Sequence, residues 1–213
     1  MTSQLKVDRI SPATGSEIII DGFSGGGGGP SAVKTFKSNG TWTNPGVSMI
    51  MVEVQGAGGS GSAQAQPFCF GAGGGYIKKL IDVSSISSAT ITVGSGGTGI
   101  PTNGGVGNKG GDSIWADGVN TLTAGGGGGG TTNSTVSIGG SATGGDFNVE
   151  GQGGGKSGYA VLSGNSFLGK TNGYELAGHN LNSAPGYGAG SGIGHNTYPS
   201  IDGGDGIVIV TEY

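Results

Sequence analysis

The residues that could do chemistry in this chain are few. Hydrolysis across a glycosidic bond needs two carboxylates held at a fixed separation, and the pairs close in sequence are Asp112 with Asp117, Asp146 with Glu150, and Asp202 with Asp205. Each sits in turn-like or glycine-rich surroundings, which leaves solvated charge without the neighbours that would fix an acid opposite a base. His179 and His195 lie among many serines, but no GxSxG nucleophile turn accompanies them. Cys69 is the single cysteine, so an intrachain disulfide is excluded, and it is expected to be a half-buried, inert thiol.

Phosphate and metal motifs fare no better. Gly56, Gly58 and Gly61 match GxGxxG after MIMVEVQ, and Gly94, Gly96 and Gly99 match it after ATITV. That fingerprint works only where a helix begins at the glycines and offers its amides to a pyrophosphate, and the continuations AQAQPFCFGAGGG and IPTNGG cannot supply one. GGVGNKGGD at 104 approaches a calcium-binding nonapeptide, but Lys109 stands where a carboxylate is needed and no tandem copies follow. Asp202 and Asp205 in IDGGDG are expected to be solvated turn residues. No catalytic, cofactor-binding or metal site is expected, no cofactor is implied, and the chain is not expected to be an enzyme.

The elements that must carry any site follow from composition. Glycine supplies 54 of 213 residues, and the charged fraction is 10% with a net charge of −4. Val and Ile far outnumber Leu, a bias that suits pleated strands over helices and excludes a helical bundle. Glycine comes in runs instead of every third residue, which excludes collagen. Arg9 is the single arginine and Lys78–Lys79 the one adjacent basic pair, so no phosphate-tracking surface for nucleic acid is expected. No stretch of 18 apolar residues occurs, so no membrane insertion is expected, and Met1 to Ile20 lack a signal-peptide pattern, which points to synthesis in a cytoplasm.

Along the chain, LKVDRI, a SPATG turn and EIIID form a short arm with Leu5, Val7, Ile10, Ile18, Ile19 and Ile20 as its apolar residues. Such a hairpin is marginal alone and should pair with another copy or dock on a partner. Gly25 to Pro30 then marks a boundary, giving an arm and linker over 1–30 and a glycine-rich β domain over 31–213. VKTFKSNGTWT with a tight turn at Asn39-Gly40, VSMIMVEVQ, GYIKKLIDV, SATITVG, DSIWADGVNTLTA turning at Asp117-Gly118, and GIVIVTEY read as strands. The last should return to the sheet built by the first half. The predicted fold class is all-β, an antiparallel, sandwich-like scaffold with glycine-rich loops or polyglycine II helices and essentially no α-helix. Ordered threefold helices are favoured over floppy loops, because the buried backbone of so many tracts must find hydrogen-bond partners.

Residues 159–198 depart from this pattern. Tyr159, Phe167, Tyr174, His179, Tyr187, His195 and Tyr198 are interspersed there with Asn, Ser and Gly. Rigid aromatic area mixed with adaptable polar residues is the composition of a binding loop, and these residues are the contact candidates. The competing reading makes them internal spacers against the glycine tracts.

FKSNGTWTNPGVSMIMVEVQGAGGSG, GGGYIKKLIDV, ATITVGSGGTG, GGDSIWADG, TAGGGGGG and the terminal GGDGIVIVTEY together resemble the glycine-rich domain common in bacteriophage tail fibre proteins, over about residues 33 to 213. LKVDRISPATGSEIIIDG is similar to the short N-terminal segments of phage tail proteins. The resemblance implies a virion component of the tail that attaches to other tail proteins through its arm. It implies recognition of a bacterial surface receptor, a glycan or an outer-membrane protein, through variable loops, and a homotrimer. The alternative is a purely structural adaptor or decoration protein of the virion. With no shaft-like or coiled-coil pattern in residues 1–30, a small tip, a short fibre or a decoration is expected instead of a full fibre.

Overall fold

The computed structural model describes residues 29–63, 69–132, 135–156, 163–170, 185–194 and 198–213. Strands form where β-branched residues alternate with polar ones. They are β1 (Ala32–Phe36), β2 (Gly40–Thr43), β3 (Met49–Gln55), β4 (Tyr76–Asp82), β5 (Ser88–Thr92), β6 (Ser113–Ala116), β7 (Thr121–Ala124), β8 (Ala142–Thr143), β9 (Phe147–Val149) and β10 (Ile207–Glu212). No α-helix occurs among the described residues. Two antiparallel five-stranded sheets result, ordered β1-β10-β3-β4-β9 and β2-β5-β6-β7-β8. The final strand does return to the first half, slotting between β1 and β3.

Period-two alternation decides what each sheet buries. Ile50, Val52 and Val54 of β3 are paired with Val208 and Val210 of β10 and with Ile77 and Ile81 of β4 on the inner face of the first sheet. They pack on Trp42, Ile91, Trp115 and Leu122 of the second, as the contacts of β3 with β6 and β7 require. The Trp42 and Trp115 rings meet at 5.5 Å between centroids. Trp42 Nε1 donates to Glu212 Oε1 at 2.7 Å, and Lys34 Nζ lies 2.7 Å from the same oxygen, so a buried carboxylate ties the two sheets together. Asn39-Gly40 does not close a β1–β2 hairpin. The two strands go to different sheets, and Asn39 Oδ1 instead accepts the Val93 amide.

Glycine tracts continue the strands beyond the sandwich, and their hydrogen bonds have a period of three. The amides of Gly56, Gly59 and Ser62 donate to the carbonyls of Gly75, Ala72 and Cys69 at 2.8, 2.9 and 3.0 Å. Those of Ala57, Ser60 and Ala63 donate to Gly111, Asn108 and Gly105, while Gly58 turns to Gly204 and Gly61 to Ser191 Oγ. On the return tract the cycle repeats: Phe70 and Gly73 donate to Gly155 and Gln152, Gly71 and Gly74 to Ser191 and Gly188, Ala72 and Gly75 to Gly128 and Gly125. Three successive amides pointing to three neighbours is the signature of the extended threefold helix of polyglycine, whose lack of Cβ atoms lets chains approach this closely. The ordered-helix expectation holds, and the floppy-loop alternative does not.

At most of the tract glycines the packing leaves no room for a Cβ. A Cβ on Gly58 would sit 1.9 Å from the Ala189 oxygen, and one on Gly71 1.9 Å from that of Gly59. Among the described residues no buried side-chain nitrogen or oxygen lacks a partner.

Candidate functional site

Chain order fixes where the bundle of tracts can present anything. Residues 56–63 lead away from β3 and residues 69–75 return to β4. The same out-and-back course links β5 to β6 through 94–100 and 104–111, and β7 to β8 through 125–130 and 137–141. Residues 150–156 leave β9 and are followed by 163–165, and residues 188–194 are followed by 200–206, which enter β10. At about 3.1 Å per residue, the eight-residue run 56–63 carries the chain on the order of 25 Å from the sheets. The described ends of the tracts meet. Ala63 bridges to Gly105 and Gly194, Cys69 to Lys156, and Cys69 Sγ contacts the Thr135 oxygen at 3.2 Å. This end of the bundle, opposite the sandwich, holds the described turns at 101–103 and the exposed Tyr198.

The sandwich end of the bundle is sealed by Gln55, fully buried, whose Nε2 donates to the carbonyls of Gly56, Gly74 and Gly75 and whose Oε1 accepts the Leu168 amide. A glutamine closing a strand carries no mark of that role in the sequence. Beside it the outer face of the first sheet carries a second cluster. The Tyr76 ring is buried, stacked on Phe167 with centroids 4.1 Å apart and 20° between planes. Phe147 meets both rings edge-on at 6.3 and 6.1 Å. The Tyr76 hydroxyl donates to Glu53 Oε1, and Lys78 Nζ lies 3.8 Å from that oxygen. Burial, reinforced by the hydrogen bond and the charge of Glu53, pushes the Tyr76 phenol well above its ordinary range.

The contact residues expected from loop composition distribute over both ends. Phe167 is 56% exposed in the aromatic cluster, and Tyr187 lies next to it, its carbonyl accepting from Ser166 Oγ and its ring 5.9 Å from Lys37 Nζ. Tyr198 is 53% exposed at the far end, in the connection following Gly194. Phe167 and Tyr198 are thus exposed, while Tyr187 is half-buried. Tyr159, Tyr174, His179 and His195, and the arm residues Leu5, Val7, Ile10, Ile18, Ile19 and Ile20, lie outside the described residues. Phe147, half-exposed, was missed; its strand has three residues, too short for alternation to register.

The carboxylates are occupied as backbone acceptors. Asp205 Oδ1 accepts the Gly96 amide at 2.8 Å and Asp202 Oδ1 the Gly99 amide at 2.5 Å, again three residues apart. They are exposed, as expected, but they terminate tract amides instead of shaping a turn. Asp112 accepts the Gly126 amide and Lys109; burial alone would raise its carboxyl, yet these bonds hold it below the usual range. Asp117 accepts the Val119 and Asn120 amides at the β6–β7 turn and Trp115 Nε1. Asp146 takes the Leu80 amide. Gly56–Gly61 and Gly94–Gly99 run extended with their amides committed to neighbouring tracts, so neither offers a helix N-terminus to a phosphate. Cys69 is fully buried, not half-buried. No cluster of His, Cys, Asp and Glu suited to a metal ion occurs among the described residues.

The architecture defines a class, an all-β sandwich prolonged by a bundle of glycine tracts. Residues 34–213 match the family model described as a glycine-rich domain, and the chain belongs to that family. No curated protein matches it.

Proposed function

We propose that this chain is a virion protein of a bacteriophage tail that attaches through residues 1–22 and recognises the host surface non-covalently with the connections at the free end of the glycine bundle. The observation that carries this reading is the convergence of the described tract termini at one end of a laterally hydrogen-bonded bundle, remote from the sandwich. A scaffold whose tracts bond to one another along their backbones holds the described tract ends, Ala63, Cys69, Gly105, Lys156 and Gly194, in fixed register. Preorganisation of this kind reduces what binding must spend on ordering loops. Tyr198, exposed there, is the contact residue proposed at that end; Tyr159 and His195 remain candidates by sequence composition and lie outside the described residues. The phage context rests on the resemblance of the arm and the domain to tail proteins.

The test is binding of the labelled, purified chain to a panel of bacterial cells. Variants with Tyr159, His195 and Tyr198 each changed to Ala, and a variant lacking residues 1–22, accompany it. Saturable binding that survives arm deletion and fails in the aromatic variants is expected. Absence of binding to every cell type, with capture of a tail protein through the arm retained, replaces this reading with that of a structural adaptor.

A further inference from the structure

We propose that Phe147 and Phe167, backed by Tyr76 and bordered by Glu53 and Lys78, form a platform for the flat face of a neutral pyranose ring. This deepens the host-surface reading, on which it rests, by naming a second contact and the chemistry it takes.

Aromatic area left in water on a protein of this composition needs a reason. Phe147 is 50% and Phe167 56% exposed, yet both are fixed by ring contacts instead of hanging free. Tyr76 occupies one face of the Phe167 ring, so the solvent-exposed part of that ring includes the opposite face. Tyr76 is itself clamped by its hydrogen bond to Glu53. The platform is therefore held in place before any ligand arrives, with Phe147 standing at 70° to Phe167 as a side wall. The electron-rich face of an aromatic ring attracts the weakly positive C–H bonds that line one face of a pyranose.

Size and charge choose the occupant. Two half-exposed phenyl rings offer on the order of 200 Å². A stable protein interface takes about 800 Å² from each partner, so the cluster is a small-ligand surface. Glu53 and Lys78 are paired across β3 and β4, between the aromatic residues and Met51 and Leu80 further along the same strands. That pair closes the apolar area with hydrogen-bonding groups of both kinds and no net charge. A ligand with an apolar face and a hydroxyl rim meets those groups; an anion or a cation meets one partner and is opposed by the other.

The experiment is saturation-transfer NMR on the full chain with neutral tetrasaccharides of glucose, galactose and mannose, and tetragalacturonate as the anionic comparison. At least one neutral probe should bind saturably, with transfer concentrated on the protons of one ring face. Phe167→Ala should weaken it about tenfold or more, Phe167→Trp should retain it, and Glu53→Gln should weaken it less than Phe167→Ala. Unchanged near-UV circular dichroism from Trp42 and Trp115 establishes that the variants are folded. No saturable transfer from any neutral probe up to about 10 mM, tighter binding of tetragalacturonate than of every neutral probe, or binding indifferent to Phe167→Ala overturns the proposal. Cell binding that depends on Tyr198 while sugar binding fails would leave the bundle-end reading standing. Sugar binding without cell binding would do the reverse.

Discussion

Replacing Gly71 by alanine tests whether the glycine bundle is close-packed in the way its hydrogen bonds imply. The added Cβ would lie 1.9 Å from the Gly59 oxygen, 2.6 Å from the Gly59 carbon and 3.0 Å from the Ser60 carbon, all backbone atoms that no rotamer change can move. A tolerable carbon-to-oxygen contact is about 3.3 Å, so the facing tracts must part by on the order of 1.4 Å. The bonds joining them, from Gly56, Gly59 and Ser62 to Gly75, Ala72 and Cys69, are 2.8–3.0 Å long and buried. Parting by that amount breaks the central one and strains its neighbours, at about 1–3 kcal/mol for each buried group left unpaired. The broken bond leaves two groups unpaired, about 2–6 kcal/mol, and alanine returns about 0.4–1 kcal/mol through the unfolded chain, leaving a net loss of about 1–5 kcal/mol. Urea denaturation followed by far-ultraviolet circular dichroism gives the global figure, and amide hydrogen exchange at Gly59 and Ala72 shows whether the loss is local. Gly40→Ala is the control. Its Cβ would approach nothing closer than Phe36 Cδ1 at 3.4 Å, and a strand glycine favours replacement, so its effect should stay within about 0.5 kcal/mol or stabilise. A Gly71→Ala loss below about 1 kcal/mol would refute the close-packed bundle.

Glu212→Ala leaves the buried Trp42 indole without its acceptor and should cost about 3 kcal/mol in thermal or urea unfolding, whereas Glu212→Gln, which keeps an acceptor, should cost less. The Glu212 carboxyl is pushed up by burial but pulled further down by Lys34 and Trp42, and hydrogen bonds likewise leave Asp112 and Asp117 below their ordinary range. Stability from groups whose folded value is depressed is complete above the unfolded values of 4.5 and 3.8 and is lost as pH falls through the folded ones, so the melting temperature should be flat near neutrality and decline below about pH 4.5. Cys69, buried where the tracts turn, should react with a thiol reagent at less than about 1% of its rate in denaturant; labelling at a comparable rate would mean that the bundle end opens readily.

Much of the sandwich was legible because its signals are local. MIMVEVQ and IVIVTE alternate with period two, and Asp117-Gly118 turns β6 into β7 as its residue types require. The β8 and β9 pieces were not read, since two- and three-residue strands are made by the neighbours they pair with and not by their own sequence. The glycine tracts were legible as ordered, but not in their arrangement. Nothing in GAGGSG states that Gly58 bonds to Gly204 while Gly59 bonds to Ala72, because those partners are set by four other segments at once. Asp202 and Asp205 misled for the same reason. Beside glycines a carboxylate reads as a turn former, whereas here the amides of Gly96 and Gly99 supply what it accepts. Phe167 could be named from loop composition, but its stack on Tyr76, far earlier in the chain, could not.

The threefold rhythm of the tracts restricts how such a gene can change length. Inserting or deleting one residue within 56–63 would rotate everything beyond it by a third of a turn, swinging Ala57, Ser60 and Ser62 towards backbones that tolerate no side chain and sending each amide to the wrong neighbour. Adding three residues would restore the phase but outgrow the tracts alongside, unless every one of them lengthened together. The connections obey no such rule, since an extra residue there changes no phase. Drift in a lineage of these chains should therefore collect indels between the tracts and almost none within them, so that the length of the scaffold stays fixed while what it carries is rewritten.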